Sequence, residues 1–139
     1  MEAIIFDVDG TLCDVRSVRH YVTGDQRDFT AFHKASLFCP PNHAVRDLAR
    51  MSDQAVVVVT ARDARFERVT RDWLAKHDIA FEALYMRPWG DQRKDAVVKA
   101  EILTAILADG FVPVLAVDDR DDIIEVWNAA GIPTLKVGE

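Results

Sequence analysis

The chain has 139 residues, of which 50% are hydrophobic, and it carries a formal net charge of -6. This length supports one well-buried core and is too short for two ordinary domains, so we expect a single globular domain over residues 1–139. The acidic balance argues against a protein that coats nucleic acid non-specifically, because such binding needs a basic surface. It does not exclude a protein that holds a nucleic-acid end.

No run in the sequence is long and apolar enough to span a bilayer, which takes about 20 residues. The chain enters a predicted strand at once, without a basic region or a cleavage site. We therefore expect a soluble, cytoplasmic protein that makes no membrane contact. The two cysteines, Cys13 and Cys39, are not spaced like a zinc site and are expected to be reduced thiols.

The first predicted strand covers residues 1–6. The polar segment 12–41 that follows is predicted to be a loop or short flap with a weak helix. Asn42 can then cap a helix, because a short polar side chain at that position accepts a hydrogen bond from the first helical turn. The apolar face of this helix is predicted to consist of Val45, Leu48 and Met51.

A second strand is predicted at 55–59, and Asp63 can cap the helix that follows it. The apolar positions of that helix are Phe66, Val69, Trp73 and Leu74. A third strand at 81–86 precedes a helix at 93–107, which Gly110 ends. The residues predicted to face inward from this helix are Val97, Val98, Ile102 and Ile106.

A strand at 112–117, a helix at 121–129 and a short strand at 133–137 complete the predicted elements. Strands that alternate with helices are typical of an α/β fold. We therefore predict a doubly wound, Rossmann-like parallel sheet of about five strands. Trp127 is expected to pack the last helix on this sheet.

Three of the predicted strands stop abruptly at polar residues. In a parallel sheet the carboxyl ends of the strands lie at one edge, and ligands bind in the crevice beyond them. The residues delivered to this crevice are Asp7, Asp9, Thr60, Asp118 and Asp119.

Asp7 and Asp9 are separated by one residue, so a straight strand would place their side chains on opposite faces. The chain must therefore turn, and Gly10 permits that turn. Asp7 can then attack phosphorus as a nucleophile, while Asp9 protonates the leaving oxygen and later activates water. Such a reaction proceeds through an aspartyl-phosphate.

Phosphoryl transfer concentrates negative charge, so carboxylates at such a site need a cation. Hard oxygen ligands suit Mg²⁺, and the predicted set consists of Asp7, Asp118, Asp119 and the backbone carbonyl of Asp9. Asp122 could ligate the ion or orient a water, or it could simply cap the last helix. Thr60 can bind a phosphate oxygen. A lysine should supply further positive charge, and the candidates are Lys99, Lys94 and Lys34.

These motifs resemble those of the haloacid dehalogenase superfamily, with residues 7–11 as the first motif, Thr60 as the second, a lysine as the third and residues 118–119 as the fourth. Three further stretches, at 90–99, 117–120 and 126–127, are similar to the phosphatase domain of bacteriophage polynucleotide kinase. That domain removes a phosphate from the 3′ end of DNA or RNA. The resemblance therefore implies a Mg²⁺-dependent polynucleotide 3′-phosphatase with a minimal cap or none.

The resemblance also assigns roles to individual residues. It implies that Lys99 is the essential lysine and that Asp95, one helical turn earlier, fixes it. Arg62 matches an arginine that binds substrate in the family. A second such arginine follows the first motif, where Arg19 fits better than Arg16.

The sequence contains no Gly-rich loop of the kind that binds nucleotide phosphates in kinases. The resemblance therefore covers the phosphatase alone, and a separate kinase or ligase is a possible partner. Two alternatives stay open: a nucleotidase that acts on small phosphoesters, and a non-catalytic module that binds phosphorylated ends.

Other residues could contact substrate around the predicted crevice. Phe32 and His33 could line its entrance, and Trp89 could stack a base. Arginines at 65, 68 and 71 recur at helical spacing and most often form a solvated face, although a role in nucleic-acid binding is the alternative.

Overall fold

The computed structural model describes residues 1–138, which form a five-stranded sheet flanked by five α-helices. The strands are β1 (Glu2–Phe6), β2 (Ala55–Asp63), β3 (Ala83–Arg87), β4 (Val112–Asp118) and β5 (Thr134–Lys136). The helices are α1 (Phe29–Ser36), α2 (His43–Arg50), α3 (Glu67–Lys76), α4 (Asp95–Ala108) and α5 (Asp121–Ala129). Two short 3-10 helices cover Arg19–Val22 and Ala64–Phe66. Within these residues, no helix is both long and apolar enough to cross a membrane.

The sheet has the order β3-β2-β1-β4-β5, and every neighbouring pair is parallel. The chain adds β2 and β3 on one side of β1 and then crosses to add β4 and β5 on the other side. This reversal leaves a crevice beyond the carboxyl ends of β1 and β4, where α/β sheets bind ligands. The predicted parallel, doubly wound sheet is confirmed.

Residues of the central strands alternate between two buried layers. Ile4 and Phe6 of β1 pack under α1, α2 and α3, where Trp73 and Leu74 are also buried. Ala3 and Ile5 of β1 face the opposite layer beneath α4 and α5. Trp127 is fully buried in that second layer, as predicted. Because both faces are covered, the strands read as continuous apolar runs.

The segment between β1 and α2 forms a flap over one end of the sheet, and it contains the 3-10 helix Arg19–Val22 and the helix α1. The Trp73 indole N–H donates to the Cys39 carbonyl at 2.9 Å and ties the flap to α3. A backbone bridge between Cys13 and Pro41 closes its base. The flap contains one 3-10 helix and one short α-helix. This small size agrees with the minimal cap expected from the sequence.

Some boundaries and faces differ from the prediction. Helix α4 begins at Asp95 rather than at Arg93, and β2 extends to Asp63. Val97 is 47% exposed, because the face of α4 on the sheet runs through Val98 and Ile102. Met51 is exposed as well, since α2 ends one residue before it.

Candidate active site

A buried lysine joins two aspartates at the ends of adjacent strands. Asp7 follows β1, Asp118 ends β4, and Lys99 reaches them from the second turn of α4. The Lys99 ammonium donates to Asp7 Oδ1 and to Asp118 Oδ2, both at 2.9 Å. Although burial disfavours the charged form, these two carboxylates raise the pKa of Lys99 above its usual range. Of the three candidate lysines, Lys99 therefore lies in the site, whereas Lys34 and Lys94 are exposed.

The second oxygen of Asp7 contacts a threonine of the first motif. Thr11 Oγ1 lies 3.0 Å from Asp7 Oδ2 and 3.2 Å from Asp119 Oδ1, so its proton can serve either carboxylate. Thr11 is fully buried. Its position in the first motif, four residues after Asp7, is the sequence feature that indicates a place near the site. Thr11 thus connects the loop after β1 to the loop after β4.

Gly10 makes the turn that the sequence required. Its φ is +83°, in the region that favours glycine. A Cβ at this position would lie 2.2 Å from Asp119 Oδ2. The close approach of Gly10 to Asp119 therefore depends on the absence of a side chain.

The carboxylates of Asp7, Asp118 and Asp119 can place one oxygen each within 4.8 Å of one another. Burial, followed by repulsion from Asp118, raises the pKa of Asp7 well above its usual value. Burial also raises the pKa of Asp119. Three carboxylates around one lysine carry surplus negative charge, and a hard divalent cation would compensate it. The donor set therefore fits Mg²⁺.

Asp9 lies beside this cluster and is held by an arginine. Arg62 Nη2 donates to Asp9 Oδ1 at 2.5 Å, and Arg62 Nε donates to Oδ2 at 2.9 Å. Burial alone would raise the pKa of Asp9, but the Arg62 guanidinium outweighs it and lowers that pKa. The Asp9 carboxylate is thus bound to Arg62 rather than to the acidic cluster, and ligation through its backbone carbonyl stays a prediction.

Arg62 is itself almost completely buried, which the sequence did not indicate. Its Nη2 also donates to Ser36 Oγ and its Nη1 to Thr70 Oγ1, both at 3.1 Å. Ser36 belongs to α1 and Thr70 to α3. No spacing in the sequence pairs these residues with Arg62, because three separate elements bring them together. Direct binding of substrate by Arg62 stays a prediction.

Thr60 lies at the predicted place, buried near the end of β2, and it lines the same cavity as Asp7. Its Oγ1 accepts a hydrogen bond from the Arg62 backbone N–H at 3.2 Å. The hydroxyl proton remains available to a phosphate oxygen.

The structure gives Asp95 partners other than Lys99, so fixing of Lys99 by Asp95 stays a prediction. Asp95 accepts hydrogen bonds from Arg87 and, at 2.5 Å, from Arg120 Nη1. It lies in the first turn of α4, close to the ends of β3 and β4, whereas Lys99 is already bound by Asp7 and Asp118. Asp95 therefore links the loops around the site.

Arg19 and Asp122 lie outside the acidic cluster. Arg19 is exposed in the 3-10 helix and lines a second cavity of about 620 Å³, which borders Gly10 and Asp119. Asp122 forms an ion pair with Arg120, with one contact of 2.7 Å. The pair lies at the start of α5. The structure separates Arg19 from the cavity that contains Asp7.

The cavity that contains Asp7, which we call the main cavity, has a volume of about 590 Å³. Its floor contains Asp7, Asp9, Thr60 and Lys99. Its lining also includes aromatic side chains of α1 and of the 3-10 helix Ala64–Phe66, together with Arg87, Arg93 and Arg120. His33 is one of these aromatic side chains, and burial, assisted by Arg62, lowers its pKa to about 4. Phe32 and His33 thus line the cavity, as predicted.

Comparison with known families and structures identifies related proteins. The family described as the polynucleotide kinase PNKP phosphatase domain matches residues 1–139. A protein of Autographa californica nuclear polyhedrosis virus, named as a bifunctional polynucleotide kinase/RNA ligase, is 29% identical over 134 residues. That match covers 96% of this chain and 19% of the viral protein.

Solved structures share the fold. A chain in the structure of a Pnkp1/Rnl/Hen1 complex has a TM-score of 0.82 at 24% identity, and the match covers 99% of this chain and 47% of that one. A haloacid dehalogenase family enzyme from Bacteroides thetaiotaomicron, solved with magnesium and inorganic phosphate, has a TM-score of 0.58 at 14% identity over 98% of this chain and 93% of its own. The chain thus spans about a fifth of the viral relative and less than half of the Pnkp1-complex chain.

Proposed function

This chain belongs to the polynucleotide kinase PNKP phosphatase domain family of the haloacid dehalogenase superfamily, and from that premise we propose that it is a Mg²⁺-dependent phosphatase that removes 3′-phosphates from DNA or RNA ends. The observation that carries the proposal is the buried contact of Lys99 with Asp7 and Asp118 at the floor of an accessible cavity. In this arrangement the Asp7 carboxylate, the Lys99 ammonium and the acidic cluster that could hold a metal lie together at a place that a phosphate can enter.

Asp7 is the nucleophile of the proposed reaction. Its carboxylate oxygen forms a bond to phosphorus as the bond from phosphorus to the ribose 3′ oxygen breaks, which gives an aspartyl-phosphate. Lys99 and Thr11 fix the carboxylate through one oxygen each. This orientation favours in-line attack because neither oxygen is free to rotate away.

Asp9 is the acid and base of the proposed reaction. It donates a proton to the departing 3′ oxygen and then removes one from the water that attacks the aspartyl-phosphate. In the substrate-free site Arg62 favours the ionised carboxylate. An incoming phosphate adds negative charge beside Asp9 and raises its proton affinity, so the group can be protonated when the acid is needed.

The residues around the phosphate neutralise or bind its oxygens. The Thr60 hydroxyl can donate to one oxygen, and the Lys99 ammonium lies beside the attacking carboxylate. Mg²⁺, which Asp7, Asp118 and Asp119 would hold, supplies the remaining positive charge for the transferred phosphoryl group.

The product of the proposed reaction is a 3′-hydroxyl end. The viral relative is named for kinase and ligase activities, and the Pnkp1 structure is a multiprotein complex. We therefore propose that a kinase or ligase acts on the same nucleic-acid ends as this chain.

The proposal is tested by Mg²⁺-dependent phosphate release from a 3′-phosphorylated oligonucleotide, its 5′-phosphorylated twin and a 3′-mononucleotide. We expect clear preference for the 3′-phosphorylated oligonucleotide and loss of at least about 10³-fold of its turnover in Asp7→Asn, whose amide cannot act as nucleophile. Asp122→Asn is the matched control, because that acid lies outside the cluster, and it should retain turnover.

Equal or faster turnover of the mononucleotide would replace the proposal with a nucleotidase. Absence of release from all three substrates, with the fold intact by circular dichroism, would favour a module that binds phosphorylated ends without hydrolysing them.

A further inference from the structure

A row of rings and one arginine, four of whose members line the main cavity, ends at Trp89 outside that cavity. Phe29 and His33 of α1 have ring centroids 6.4 Å apart, and the His33 ring lies 4.4 Å from that of Phe66. The Arg65 guanidinium follows, 5.4 Å from the Phe66 centroid and 5.9 Å from that of Trp89. We call these five residues the aromatic wall.

Two hydrogen-bonded links connect the aromatic wall to the reacting groups. Arg62 binds Ser36, whose hydroxyl donates to the His33 carbonyl at 2.7 Å. Arg62 also binds Thr70, whose hydroxyl donates to the Phe66 carbonyl at 2.8 Å. Because the same guanidinium holds Asp9, the backbone at His33 and Phe66 is tied to the place where a phosphate would react.

Two members of the aromatic wall expose large parts of their rings. Phe29 is 53% exposed and Trp89 is 73% exposed. His33 is buried next to Phe29 and Phe66. The residues of the aromatic wall that line the main cavity are Phe29, His33, Arg65 and Phe66. Phe29 and the half-buried Phe66 thus offer ring surface beside a phosphate-accepting floor. This combination is suited to a ligand that carries both an aromatic ring and a phosphate.

We propose that the aromatic wall stacks the nucleobase of the nucleotide that bears the 3′-phosphate, which rests on the proposed function. Aromatic rings and arginine planes bind the faces of unstacked bases, and this binding is tolerant of sequence because every base has a π face. Asp63 pairs with Arg65 at 3.3 Å, so the guanidinium is held in place. The wall therefore selects a nucleoside over a simple sugar phosphate without selecting one base.

The test measures kcat/KM on two 3′-phosphorylated oligonucleotides that differ only in whether the terminal nucleotide carries a base or is abasic. The wild type should lose about 5- to 100-fold when the base is removed. On the normal oligonucleotide, kcat/KM of Phe29→Ala should fall below that of the wild type by a similar factor. On the abasic oligonucleotide, kcat/KM of the two proteins should differ by less than about twofold, because the base that Phe29 would stack on is already missing. Phe29→Trp, which keeps an aromatic face, should retain the preference for a base.

Phe38→Ala is the matched control, because Phe38 is 78% exposed and lies outside the residues that line the cavity. It should behave as the wild type on both substrates. Phe66→Leu provides a second variant that keeps apolar volume and removes the π face, and it should also lose the preference for a base.

The inference is overturned if Phe29→Ala and Phe66→Leu both discriminate against the abasic end as strongly as Phe38→Ala does. A wild type that releases phosphate equally well from normal and abasic ends would overturn it too. In either case the proposed function survives, because it fails only if the wild type releases no phosphate from 3′-phosphorylated oligonucleotides or if it turns over the mononucleotide equally fast or faster.

Discussion

Gly10 sets a steric limit on the loop that follows β1. An alanine at this position would place Cβ against the Asp119 carboxylate, whose Oδ2 would be 2.2 Å away. The end of the Asp119 side chain can rotate, so the clash is relieved by moving the carboxylate away from Asp7 and Asp118. We expect Gly10→Ala to raise the Mg²⁺ concentration for half-maximal phosphate release by about 10- to 100-fold. An activity titration with Mg²⁺ measures this.

Gly110→Ala separates the effect on the metal site from backbone strain. Gly110 also has a positive φ, of +92°, but a Cβ there would meet nothing within 4 Å. Both variants should lose about 1–2 kcal/mol of stability to the left-handed backbone. If Gly110→Ala shifts the Mg²⁺ requirement as much as Gly10→Ala does, the contact with Asp119 is not the cause.

Individual site residues could be predicted from sequence where they end a strand. Asp7, Thr60 and Asp118 followed from this pattern, because each closes an apolar run and parallel strands end at one edge. The helical spacing between Asp95 and Lys99 does not reveal that Asp95 pairs with Arg87 and Arg120. The Arg62 contacts with Asp9, Ser36 and Thr70 depend on how the flap packs, which local sequence does not encode.

Helix α1 makes the flap sensitive to acid through His33. This side chain is buried, and its pKa is lowered from the ordinary 6.5 to about 4 by burial and by Arg62. Protonation therefore favours the unfolded chain. The stability that a neutral His33 provides is complete above about pH 6.5 and is lost as the pH falls toward 4.

His33→Phe should reduce this pH dependence. Between pH 7 and pH 5 the wild type should lose about 2 kcal/mol through His33, and the variant should lose that much less. Urea unfolding at the two pH values measures this loss of stability. Any packing cost of the larger ring is the same at both pH values, so it drops out of the difference between them. His20→Gln is the control, because His20 is exposed on the same flap. A variant that loses as much stability as the wild type would contradict the assignment.

At the level of secondary structure, buried strands and strongly periodic helices were predictable, while helix ends and faces were less so. The strands of this sheet are covered on both sides, so their apolar runs stand out. Helix α4 is apolar on more than one side, and this explains why Val97 was placed inward although it is exposed. The flap sequence shows neither the alternation of a strand nor the 3.6-residue periodicity of a helix. Its arrangement depends on contacts with α3 and with the loop after β1.

The charge of the whole molecule limits how it can hold a polyanion. The net charge is -6, and the arginines at the rim of the main cavity are paired: Arg65 with Asp63, Arg93 with Asp91 and Glu101, and Arg120 with Asp95 and Asp122. Affinity for nucleic acid should therefore come from the terminal phosphate and its nucleotide, with little contribution from phosphates farther along the strand.

This distribution of charge predicts a weak dependence on salt. For single strands, the logarithm of affinity falls by about 0.7 per tenfold increase in salt for each phosphate neutralised. We expect a slope of about -0.7 to -1.4, which corresponds to one or two phosphates, for binding of 3′-phosphorylated oligonucleotides to Asp7→Asn. Fluorescence anisotropy of a five-nucleotide and a twenty-nucleotide strand should give the same slope. A slope that steepens with strand length would mean that a longer basic path contacts the backbone, which the paired arginines at the cavity argue against.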